Sequence, residues 1–171
     1  MLSAYARYEG ETLIIGNARL ERRLAARADT PCVTISFVNK ETGRDYIRPS
    51  SREFSLSANG RAMTTRDFVY ERAEVHEGDP TEAIVHLCTK LFGSNDSSRP
   101  KTAEAVTTNA QVLALELHYQ VYSAHPVQRK WLVVRNHSPE MVTLSDLDWE
   151  DLNRLIDTPT STEVWTDYFT R

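Results

Sequence analysis

From Leu115 the chain alternates: Leu115, Leu117, Tyr119 and Val121 occupy one parity, and Glu116, His118, Gln120 and Tyr122 the other. An apolar period of two predicts a strand with one face on a core. A slip of one residue would turn every apolar side chain of that strand to water, so its register is tightly constrained. Beyond Ser123-Ala124-His125-Pro126, residues 127–136 contain Val127, Trp131, Leu132, Val133 and Val134 and no Gly or Pro. They read as the return strand of a hairpin. With Tyr122 and Val127 flanking a four-residue connection, Gln120 falls opposite Arg129, His118 opposite Trp131, and Glu116 opposite Val133. One face then mixes polar and aromatic groups, while Leu132 and Val134 join the leucines on the core side. Gln128 and Lys130 interrupt that core side near the turn, where the sheet end is expected to let them reach water.

The rest of the chain repeats the pattern. Residues 12–15 and 17–24 read as strands with Gly16 as a bend or bulge between them. Residues 32–38 form a strand with Val33, Ile35 and Phe37 on one side. The turn Asn39-Lys40-Glu41-Thr42-Gly43 leads back through residues 44–47. Residues 52–57 precede Asn59-Gly60, the strongest short hairpin signal in the sequence. Residues 68–75 and 81–91 follow, separated by Glu77-Gly78-Asp79-Pro80. A helix over 81–91 is disfavoured by the β-branched content of Ile84-Val85-His86-Leu87-Cys88-Thr89. Turn signals every ten or so residues predict an all-β fold, an antiparallel β-sandwich, over residues 1–156. Residues 93–110 are polar and read as a long mobile loop. Residues 141–155 carry Val142, Leu144, Leu147 and Trp149. Residues 157–171 read as a linker-like tail, closed by an apolar cluster around Trp165 and Phe169.

Composition closes several doors. Hydrophobic content of 40%, charged content of 26% and a net charge of −4 describe an ordinary globular protein and argue against a general nucleic-acid binder. Arg19, Arg22, Arg23 and Arg27 form the densest basic group and read as a solvated strand face, with a phosphate site as the alternative. Cys32 and Cys88 permit at most one disulfide and read as two buried thiols. No run of about 18 apolar residues exists, so no membrane partner is expected. The N-terminus lacks the pattern of a secretory signal, and as written the chain is expected in the cytoplasm.

Reaction-bearing motifs are absent: there is no Gly-rich phosphate loop, Cys-x-x-Cys or Gly-x-Ser-x-Gly. His76, His86, His118, His125 and His137 are scattered without the close spacing of a metal site, and neither metal nor cofactor is expected. Asp146 and Asp148 would share a strand face about 7 Å apart, a spacing open to glycoside cleavage or to a plain solvated strand end. The candidate ligand-binding face is Glu116, His118, Gln120, Tyr122, Arg129 and Trp131. A pyranose has hydroxyl edges and a C–H face, and planar hydrogen-bonding side chains beside an indole match both. The same face could instead be buried against another sheet or a second copy of the chain.

A family resemblance rests on Leu117-His118-Tyr119-Gln120-Val121-Tyr122-Ser123-Ala124-His125-Pro126-Val127-Gln128-Arg129-Lys130-Trp131, then Val134-Arg135-Asn136, Leu144, Asp146 and Leu147. Thr34-Ile35-Ser36-Phe37-Val38-Asn39, Thr42-Gly43-Arg44, and Glu53-Phe54 leading to Asn59-Gly60 add to it. Over residues 13–155 the chain resembles the N-terminal β-sandwich domain, of galactose-mutarotase-like architecture, found in α-galactosidase-like glycoside hydrolases. The resemblance implies a sandwich that precedes a (β/α)₈ barrel carrying the catalytic aspartates. No catalytic residue of that family has a counterpart here. The expectation is a non-catalytic, carbohydrate-associated module, its partners a sugar such as a galactoside, and either a C-terminal barrel domain or a second copy as a homodimer. A structural or dimerisation module, and a small mutarotase-like epimerase using His118 and Glu116 as acid and base, are the alternatives.

Overall fold

In the computed structural model, which describes residues 3–47, 52–89 and 113–150, the alternating segments become antiparallel strands. β1 (Tyr5–Glu9), β2 (Thr12–Gly16), β3 (Leu20–Ala25), β4 (Val33–Asn39) and β5 (Arg44–Asp45) pair in that order in one sheet. β6 (Ser55–Ala58) and β7 (Arg61–Thr64) form the Asn59-Gly60 hairpin, both turn residues having positive φ. A short 3₁₀ turn, Thr65–Asp67, leads into β8 (Phe68–His76), followed by β9 (Thr81–Thr89), β10 (Leu113–Val121) and β11 (Gln128–Asn136). These last four make a sheet in the order β11-β10-β9-β8, and β12 (Leu144–Asp148) returns to pair with β6. The chain is an all-β, antiparallel sandwich.

The inward parity of β2, β3, β6, β9 and β10 supplies most of the core. Leu13 and Ile15 of β2, Leu24 of β3, Leu56 of β6, Val85 and Leu87 of β9, and Leu115, Leu117, Tyr119 and Val121 of β10 are buried in one cluster. Phe54 and Phe68 close it with an edge-to-face contact, ring centroids 5.3 Å apart. Each fully buried side chain of this kind contributes about 1.5–3 kcal/mol, so the two-residue period is enforced by burial. Cys32 and Cys88 are free, buried thiols, as their apolar surroundings predict.

The β10–β11 hairpin has the predicted register: Glu116 faces Val133, His118 faces Trp131 and Gln120 faces Arg129. Pairing ends at Val121 with Gln128, so the connection spans residues 122–127 and is longer than the expected four. The buried side chain of Asn17, in the turn between β2 and β3, holds that connection. Its Oδ1 accepts from the backbone N–H groups of Arg19 and Leu20, and its Nδ2 donates to the carbonyls of Tyr122 and His125, both at 2.8 Å. One amide thus folds its own turn and anchors the tip of the distant hairpin. Gly16 beside it has no room for a side chain, since a Cβ would lie 2.4 Å from the Leu20 carbonyl oxygen. The predicted loop over 93–110 and the tail over 157–171 lie outside the described residues.

Replacing Asn17 with Ala removes all four of these bonds, one of them to the buried N–H of Leu20, and is expected to cost about 3 kcal/mol. Urea unfolding of the variant measures it, and a loss below about 1 kcal/mol would mean that the hairpin tip is held by other contacts.

Candidate functional site

The alternation that buries Leu115, Leu117 and Tyr119 sends Glu116, His118 and Gln120 to the outer face of the four-stranded sheet. There they meet Arg129 and Trp131 of β11. The His118 and Trp131 rings stack with centroids 4.6 Å apart and planes 14° from parallel. The Arg129 guanidinium lies 5.0 Å from the indole centroid. Tyr122 lies one residue past β10, where its carbonyl is held by Asn17. Five of the six sequence-predicted residues therefore share one sheet face, and the sixth sits at its end.

β9 and β8 complete that face with partners the sequence reading did not identify. His118 Nδ1 lies 2.9 Å from Glu82 Oε1, and Nε2 lies 3.4 Å from Glu116 Oε2. Arg135 donates twice to Glu116, at 2.7 and 3.1 Å. These bonds from Arg135, against the opposing pull of partial burial, hold the Glu116 carboxyl below its ordinary range. Glu74 pairs with Arg72 and stands 3.2 Å from His86 Nε2. Arg135 was legible as a diagonal neighbour of Glu116 once the hairpin register was known. Glu74, Glu82 and His86 required the β8–β9–β10 pairing, whose two halves are separated by the polar stretch.

A second polar constellation lies inside the sandwich. Arg22, expected on a solvated face, is 2% exposed, because it shares the inward parity of Leu20 and Leu24 on β3. Lys130, expected to reach water, is buried too. Both turn toward Glu53, itself 1% exposed and just ahead of β6. Lys130 Nζ donates to Glu53 Oε2 at 2.8 Å and to the Glu53 carbonyl at 2.7 Å. The Tyr119 hydroxyl donates to Oε2 at 2.6 Å, and the Thr34 backbone N–H to Oε1 at 2.5 Å. Arg22 Nη1 stands 3.5 Å from Oε2, and its guanidinium carbon lies 4.6 Å from the Phe37 ring centroid. Its Nη2 donates to both oxygens of Glu150 at 3.2 Å.

Burial alone would raise the Glu53 carboxyl. The charges of Lys130 and Arg22, with hydrogen bonds from Lys130 and Thr34, outweigh it and hold the group at about 2. Burial and the neighbouring Glu53 charge push the Tyr119 hydroxyl well above its ordinary value. Sequence offered one signal for this cluster, two cations at core parity, without showing where the countercharge would come from.

Among the described residues no group of three or more His, Cys, Asp or Glu side chains is arranged to hold a metal ion. The proposed pair Asp146 and Asp148 does not share a regular strand face. The β12–β6 register shifts between Ser145 and Asp148, and Asp146 sits at φ 51° in the bulge. No protein-family model and no curated protein matches this chain.

The folded-state carboxyl at about 2 lies below the unfolded value of about 4.3, so its contribution is complete above the unfolded value and drains away as pH falls toward about 2. Glu53→Gln is expected to cost about 3–5 kcal/mol at pH 7, by stranding buried cations, and to flatten the acid limb of the stability profile. Chemical denaturation from pH 7 to pH 2 checks both. An acid limb unchanged by the substitution would remove Glu53 from the account.

Proposed function

We propose that this chain is a non-catalytic, carbohydrate-associated module that uses the outer face of its four-stranded sheet as the contact surface. One observation carries the reading: a partly exposed indole, Trp131, fixed by stacking on His118 and flanked on its own strand by Arg129, with Gln120 opposite that arginine. An indole edge and face beside planar hydrogen-bonding groups complements a pyranose. Their mutual contacts hold these side chains in place before any ligand arrives, which lowers the ordering cost of binding.

The absence of catalysis in the proposal rests on the same contacts. Glu116 is committed to two hydrogen bonds from Arg135, and His118 is pinned between two carboxylates beneath the indole. Neither group is placed to exchange a proton with a sugar, which speaks against the mutarotase-like alternative. The resemblance to the sandwich domain of α-galactosidase-like glycoside hydrolases supports a sugar-associated role and suggests a barrel domain as the natural neighbour.

A second reading, an assembly surface, is favoured by the charge balance of this face. Arg72, Arg129 and Arg135 stand beside Glu74, Glu82 and Glu116, a neutral set in which Arg72 pairs with Glu74 and Arg135 with Glu116, while Glu82 meets His118 and Arg129 lies over Trp131. A face without net charge presents no like-charge repulsion to a second copy of itself or to a neighbouring domain.

Under the first reading a panel of galactosides and oligosaccharides at millimolar concentration raises the Tm, and Trp131→Ala abolishes the rise. No shift with any sugar, together with a dimer in sedimentation that Trp131→Ala dissociates, would replace it with the second. Unchanged mutarotation of freshly dissolved galactose, followed by polarimetry, is expected under both.

A further inference from the structure

The buried cluster is built from parts of unequal tightness. Glu53 is held by contacts of 2.5–2.8 Å from Thr34, Tyr119 and Lys130. Among the described residues the Glu150 carboxylate is held by Arg22 Nη2 at 3.2 Å to each oxygen and by Lys130 Nζ at 3.5 Å. Side-chain exposure separates the two carboxylates equally well: 1% for Glu53, 25% for Glu150, against 3% for Arg22 and 6% for Lys130. Glu150 is the group through which the cluster meets solvent. It follows β12, whose residues are all exposed and whose register is broken by the bulge at Asp146.

Charge counting shows what Glu150 does there. Arg22 and Lys130 carry two positive charges and Glu53 one negative, so the interior balances only when a second carboxylate is present. Arg22 also has donors in reserve: its Nε and Nη1 make no hydrogen bond among the described residues. On the inward face of β11, two residues before Lys130, both amide atoms of Gln128 are buried and likewise without a partner there. A planar guanidinium beside an ammonium is the donor set that suits a carboxylate.

We propose that Arg22 and Lys130 form a binding site for a carboxylate-bearing small molecule, and that Glu150 is its tethered occupant, filling the site in the absence of ligand. A ligand enters by displacing the Glu150 side chain while Glu53 stays in place. The inference is independent of the sugar face, which lies on the opposite side of the same sheet.

The test is carboxylate rescue in the full chain. Glu150→Ala lowers the Tm, and sodium acetate, compared with sodium chloride at equal ionic strength, restores it saturably by about 3–5 °C in the millimolar range. Wild type, its site filled, gains little from the same acetate. Glucuronate acts like acetate and glucose does not, which separates recognition of the carboxylate from recognition of hydroxyls. If Glu150→Ala does not fold in buffer, folding recovered by acetate and not by chloride supports the site equally. Glu150→Gln, which keeps the side-chain shape, provides a second variant in which broadening of the acetate carbon-13 resonance reports binding. Acetate indistinguishable from chloride in Glu150→Ala, or no broadening with Glu150→Gln, would overturn the proposal.

Discussion

A single ionised carboxylate in the interior, that of Glu53, sets the terms for the rest of the structure. Its partners come from all three sheets or their approaches: Arg22 from β3, Tyr119 from β10, Lys130 from β11, with Glu53 itself entering β6. Taking this charge out of water is expensive, and the cost is met only if every partner arrives in place. Apolar side chains pack against one another in many arrangements of similar energy. A carboxylate fixed by two cations, a phenol and a backbone N–H admits few. The cluster thereby selects how the sheets stack, whereas the leucines and phenylalanines around it supply the bulk of the stability.

The same economy explains the aromatic groups around it. The Arg22 guanidinium lies over both Phe37 and Tyr119, at 4.6 and 5.3 Å from their centroids. Cation–π contact lets an arginine that cannot be deprotonated sit among rings without a full set of hydrogen-bond acceptors. Tyr119 therefore serves both kinds of neighbour, its ring facing the cations and its hydroxyl meeting the anion. Replacing it with an ordinary apolar residue would satisfy the core and leave Glu53 one donor short.

Strand positions were legible in the sequence because burial on one face imposes a period of two, and the Leu115 to Val121 alternation leaves no ambiguity about which residues face inward. The hairpin register was legible for the same reason, whereas the loop closing it is held by Asn17, a residue about a hundred positions away whose side chain no local pattern could place. Arg22 and Lys130 were not legible in this way. Arg22 has the parity of two buried leucines, but arginines are ordinarily solvated and the compensating Glu53 belongs to another sheet. A charge at a core position is a statement about a partner, and the partner's identity is tertiary information. The bulge at Asp146 was not legible for a local reason: an Asp at positive φ is permitted but not demanded by its neighbours, so nothing marks the break in alternation.

The two polar regions on either side of the four-stranded sheet follow opposite electrostatic rules. On the outer face, water remains close, charges pair with adjacent strands at modest individual gain, and the surface is defined chiefly by the one indole that stands among them. On the inner face, pairing is obligatory, and any change in the number of charges must be answered by another. Glu150 belongs to the second set by its partners and to the first by its exposure. That dual position makes it the one carboxylate in the interior cluster whose departure is both geometrically open and electrostatically costly, and an incoming anion would find its affinity in that cost.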